Sequence, residues 1–365
     1  MKKLNSIQFL RAFAILLLIY AGAIQLASTF AKSQQQQFFH LRYFGFMGLD
    51  LFMVIAGFMT GYSFYYYSGK KDGIEFLKNR FLRINPLYYI GTLIFMVFVC
   101  FLHKNFPFVL VLSGLRDMFL PFRILNAQQQ FYLLLVDSWP FTFLWLFYIL
   151  FALTIFFRIK KKLLVLGLLL LVLSIAGFYV TAYVQFRAKY VTSPIMLEYL
   201  SGLLIYWLYR ERKIPGYAAT AFLILGVAGY IYNIFFGDND IFRTKGDLDQ
   251  IYELRHVLLM GVPAVMLVAG CIEMERNGKL MPVWNNRWFL LTGNAAYSIF
   301  LVYPTVYFLL IMGYIQIGKA PNPDLNIWLH MPIAWGLGIL FYRKVEIPLL
   351  AMFETPHTPT TYANA

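Results

Sequence analysis

Apolar runs long enough to cross a bilayer recur along the whole chain, and that recurrence constrains the fold more than any motif does. A spanning helix needs about 20 mostly apolar residues, and about ten such runs begin near residues 8, 45, 84, 131, 163, 193, 216, 255, 288 and 326. With 60% hydrophobic residues, 13% charged residues and a mean hydropathy of +0.64, the 365-residue chain carries more apolar surface than a water-soluble core of its length can bury. The expected fold is an all-α integral membrane protein with about ten transmembrane helices. They form one domain over residues 1–350, and 351–365 form a short tail.

The formal charge of +14 would point to nucleic acid in a soluble protein, but here it sorts by connection. Lys2, Lys3, residues 70–83, 158–162, 210–213, 276–287, Arg343 and Lys344 fall on one side when ten spans are threaded alternately. The positive-inside rule makes that side cytoplasmic, with both termini inside. No nucleic-acid partner is expected. Lys2 and Lys3, an apolar run and small residues after it also fit a cleaved leader. Removing that run would unbalance the charge alternation, so it is kept as a span.

Cys100 is expected near the outer end of the third span and Cys271 near the inner end of the eighth, which excludes a disulfide. No two histidines stand three or four residues apart, so no metal-ligand spacing is visible. Residues 103–130 are too charged to span and too apolar for a solvated loop, and are read as an interfacial or re-entrant piece.

Ionisable groups inside spans need a partner or a wet cavity. Arg11, at the start of the first run, fits snorkelling to headgroups, whereas Asp50 and Glu198, flanked by apolar residues, require buried partners. In "FLKNRFLRINPLYY", Arg80 and Arg83 stand three apart and so project from one helical face. That spacing suits a multiply charged anion such as a phosphate, and equally suits a positive-inside anchor.

Several stretches together resemble the acyltransferase 3 family, and in particular its polysaccharide O-acyltransferase branch. They are "IQFLRAFAILLLIYAGA", "GLDLFMVIAGFM", the Arg80/Arg83 segment, "SPIMLEYLSGLLI", "RHVLLMGVPAVMLV", "LTGNAAYSIFLVYP" and "VEIPLL", in the family's order. The resemblance implies a ten-span bundle in a bacterial inner membrane that transfers an acyl group from cytoplasmic acyl-CoA to a hydroxyl of a glycan or lipid-linked glycan. It implies that Arg80 and Arg83 grip the CoA phosphates. Acyl-CoA is then a co-substrate, and no permanently bound cofactor is expected.

At the positions the family uses for catalysis this chain differs. Gly22 stands where the resemblance places a histidine base, Leu144 where it places a glutamate, and Tyr303 before Pro304 where it places a histidine. Ala56 replaces a serine. Glycine accepts no proton, and loss of a general base costs about 100- to 10,000-fold in rate. The expectation is therefore a catalytically degenerate member, a pseudoenzyme serving as subunit or scaffold of a cell-envelope complex among membrane lipids. The alternative is a working O-acyltransferase whose base has moved to His40, His103, His256 or His330, all expected near the outer face.

Overall fold

The computed structural model describes residues 4–30, 45, 47–63, 70–102, 140–157, 161–179, 191–211, 214–236, 250–279, 282–318 and 323–353. The segment at 103–130, His40, His103 and nearly all of the tail lie outside them.

Among the described residues the chain is helical, without strands. In chain order come α1 (Asn5–Phe30), α2 (Met47–Ser63), α3 (Lys70–Leu102), α4 (Pro140–Phe156), α5 (Lys162–Tyr179), α6 (Met196–Glu211) and α7 (Gly216–Phe236). There follow α8 (Gln250–His256), a π turn (Val257–Gly261), α9 (Val262–Arg276), α10 (Arg287–Asn294), α11 (Ala296–Ile317) and α12 (Pro323–Phe341). A second π turn (Tyr342–Glu346) leads into α13 (Ile347–Phe353). Among the described residues six helical segments are long and apolar enough to cross a membrane: α1, α3, α5, α7, the α8–α9 rod and α11. The apolar helices α2 and α4, at 17 residues each, are shorter. The chain is a multi-pass membrane protein on this length and composition.

The packing separates inner from outer helices. α1 touches α2, α9, α10, α11 and α12, and most of its apolar stretch is buried. By contrast α5 exposes Leu168, Val172 and Ile175, and α7 exposes Ile224, Ile231 and Phe235. Apolar side chains facing outward on long helices suit lipid rather than water.

The start of α1 shows how one end of the bundle is closed. Glu275, at the end of α9, accepts from the Asn5 backbone N–H (3.0 Å), the Ser6 N–H (2.9 Å) and Ser6 Oγ (2.6 Å). A helix start leaves orphan N–H groups and a partial positive charge, and this carboxylate satisfies both. Asn277 donates to the Ile214 carbonyl at the same end, where the Arg276 guanidinium lies over the Tyr209 ring. The starts and ends that sequence charge assigned to one side therefore meet in space. We call this the basic end.

The tightest seam joins α2 to α6. A Cβ on Gly57 would overlap the Tyr199 carbonyl, and one on Gly202 would overlap the Val54 carbonyl. Only glycine at both places lets the two backbones pass at this distance.

Candidate functional site

Arg11, Arg80 and Arg83 come together toward the basic end. Arg80 and Arg83 share a face of α3, as their spacing required. Arg80 Nη2 donates to Ser63 Oγ at 3.1 Å, and its guanidinium lies 5.1 Å from the Phe76 ring centroid and 5.0 Å from that of Tyr148. Such stacking holds an arginine fork in one orientation. Arg83 interacts electrostatically with Arg80 and with Glu346. Arg11 interacts electrostatically with Arg83, Arg80 and Glu346. The assignment of Arg11 to lipid headgroups is thus corrected: it joins the site.

Glu346 was not singled out from the sequence. It sits in the π turn after α12, 5% exposed, and accepts from Ser298 Oγ at 2.5 Å. π turns inserted between helices are frequent at functional sites. Arg83 and Arg11 thus act on one buried carboxylate, and Arg80 acts on both of those arginines, which concentrates positive charge in one place. A bound anion would be stabilised there.

Aromatic side chains run from this cluster toward the position of Gly22. Phe141 lies edge-on to Tyr297 at 5.4 Å and to Phe300 at 5.3 Å. Phe300 meets Tyr303 at 6.0 Å, and Tyr303 meets Tyr307 at 5.7 Å. Tyr297 and Tyr307 anchor the file by donating from their hydroxyls to the Ile84 and Ile19 carbonyls, each at 2.7 Å. Gly22 closes it. A Cβ there would stand 2.6 Å from Tyr307 Cε2 and 3.1 Å from Tyr303 Cε2. Leu144 packs against the apolar core of α3 to α6. The place that the resemblance gives to a base is therefore filled by tyrosine rings. Gly22→His is expected to destabilise the protein, seen as a lowered melting temperature in detergent, with no gain in acyl transfer. Adding Tyr307→Ala should recover part of the stability, and an unchanged melting temperature for Gly22→His alone would contradict the packing.

The other flagged residues lie elsewhere. Asp50 and Glu198 do have a buried partner, namely each other with His256, whose Nε2 stands 2.9 Å from Asp50 Oδ1. His330 is fully buried between α11 and α12, with Nε2 3.0 Å from the Tyr314 hydroxyl. Both cysteines are free, Cys271 buried and Cys100 half-buried.

Comparison with known proteins gives a consistent picture. The profile of the acyltransferase 3 family, described as an acyltransferase domain, matches residues 4–342. The chain is 29% identical over 314 residues to the exopolysaccharide production protein ExoZ of Rhizobium meliloti (strain 1021), covering 84% of this chain and 90% of that protein. No solved structure matches it.

Proposed function

Because the chain belongs to the acyltransferase 3 family, we propose that it is an acyl-CoA-dependent O-acyltransferase acting on a surface polysaccharide or its lipid-linked precursor. The observation that carries this reading is the arginine cluster: Arg11 and Arg83 act on Glu346, and Arg80 acts on both arginines, so three guanidinium groups gather in one place. CoA phosphates are anions of the right kind for paired guanidinium forks. In this reading the basic end faces the cytoplasm of a bacterial inner membrane, where acyl-CoA is supplied. The similarity to a protein named for exopolysaccharide production supports a glycan acceptor.

In the reaction the acceptor hydroxyl oxygen attacks the thioester carbonyl. An ester C–O bond forms, the C–S bond breaks, and the hydroxyl proton ends on the departing CoA thiol. With Gly22 in place of a base, we assign the first proton transfer to His330, whose Nδ1 has no partner among the described residues. Its helix α12 packs on α1, as α11 does. The purified protein should melt at a higher temperature in acetyl-CoA. A ligand at 100 times its Kd adds about 2.7 kcal/mol of stability. No shift at millimolar acetyl-CoA would remove the donor site from the account.

A second reading is favoured by one observation, the tyrosine rings over Gly22. It is the degenerate member that serves as a non-catalytic subunit of an envelope complex. It requires a fixed partner that co-purifies in mild detergent, and purification alone with turnover of acetyl-CoA would exclude it.

A further inference from the structure

Away from the arginines, three side chains from three helices converge in the first turns of α2 and α6 and at the last residue of α8. They are Asp50, Glu198 and His256. One donor atom from each lies within 4.8 Å of the other two. The cluster is far from the donor site: Asp50 and Ser63, which Arg80 touches, are about 20 Å apart along α2 at 1.5 Å per residue.

The chemistry of the cluster is unbalanced without a further component. Glu198 is 1% exposed and Asp50 4% exposed. His256 Nε2 reaches Asp50 Oδ1, but no hydrogen-bond donor among the described residues reaches Asp50 Oδ2 or either Glu198 oxygen. Two carboxylates thus face each other in the interior beside one imidazole. Buried charge of that kind requires a cation or a proton.

We propose that Asp50, Glu198 and His256 bind one divalent transition-metal ion of the zinc class. An imidazole and two carboxylates form a three-ligand set that leaves a fourth position open, as mobile or reactive zinc sites do. Magnesium and calcium would need six or more oxygens, and besides the two carboxylates the Tyr230 hydroxyl is the oxygen group among the described residues that interacts with both Asp50 and Glu198. The backbone is shaped for the carboxylate as well. A Cβ on Gly261 would stand 2.9 Å from Glu198 Oε1, so glycine there leaves the space in which that carboxylate turns. Gly261 ends the π turn that begins directly after His256, and Asn233 Nδ2 donates to the Leu259 carbonyl inside that turn. The ion would tie the starts of α2 and α6 to the end of α8. The ligands come from three separate helices, which is why no short spacing announced them. The inference is independent of the donor site and of whether the protein transfers acyl groups.

The test uses the full-length protein in mild detergent, with its affinity tag removed, stripped by a chelator and then titrated with Zn2+. Bound zinc is counted by mass spectrometry after gel filtration. The expected result is one equivalent per chain, a raised melting temperature, and binding at least about 10-fold weaker in each of Asp50→Asn, Glu198→Gln and His256→Gln. These near-isosteric variants keep the packing. Should they fail to elute as folded protein, protection of wild-type His256 from diethyl pyrocarbonate by Zn2+ gives the same answer. Folded wild type that binds no zinc, zinc bound equally by the variants, or an unprotected His256 overturns the proposal. A wild type that ignores zinc but melts higher as pH falls overturns it in favour of a proton shared by Asp50 and Glu198.

Discussion

The Arg80→Ala, Arg83→Ala double variant binds acetyl-CoA about 100- to 10,000-fold more weakly than wild type when titrated calorimetrically. Hydrogen bonds to charged groups contribute about 1.5–3 kcal/mol each, so losing one from each arginine removes about 3–6 kcal/mol, at about 1.4 kcal/mol per tenfold. The effect belongs to binding rather than to folding, provided the variant elutes from gel filtration as wild type does. That control is needed because Arg80 also bonds Ser63 and stacks on Phe76 and Tyr148. A double lysine variant separates charge from geometry. Lysine keeps the charge but cannot make the planar two-point grip, so its affinity should fall between the two. Wild-type affinity in the alanine variant would return both arginines to the role of topology anchors.

Gly202→Val prevents assembly of the bundle. The added side chain would have to enter the space of the Val54 carbonyl, which is backbone and cannot rotate away. Overpacking that only displaces side chains costs about 1–3 kcal/mol, and displacing a helix costs more. The expected result is aggregated or scarce protein on gel filtration. Gly57→Val should behave alike, since a Cβ there meets the Tyr199 carbonyl across the same seam. Monodisperse Gly202→Val protein with a wild-type melting temperature would show that the α2–α6 contact is looser than described.

What the sequence disclosed follows the range of the interaction that each residue serves. Arg80 and Arg83 were legible as a pair because their relation is set within one helical turn. The alternation of basic connections was legible because it is a property of segments, and the structure brings Glu275, Asn277 and Tyr209 to one end accordingly. Asp50 and Glu198 could be marked as needing partners, since a lone buried charge is costly anywhere. Which partners they take depends on how α2, α6 and α8 cross, and His256 stands 206 residues from Asp50. Arg11 was given to headgroups because its position near a span end permits that, yet helix packing turns it toward Glu346. Glu346 itself hid in a short motif beside Arg343 and Lys344, where a carboxylate reads as a surface charge. Of the ten expected spans, six are long and apolar helices among the described residues. Gly22 was recognised as a missing base, but the rings of Tyr303 and Tyr307 above it depend on how α11 packs against α1.

The ester content of the surface polysaccharide tests the central claim most directly. It is measured by NMR on polysaccharide from isogenic cells that express the wild-type protein, no protein, or Arg83→Ala at equal abundance. The account predicts O-acyl esters in the wild type and their loss in both other strains. Equal esterification in all three strains would contradict it, and esters lost only when the protein is absent would leave a structural partner where we have placed an enzyme.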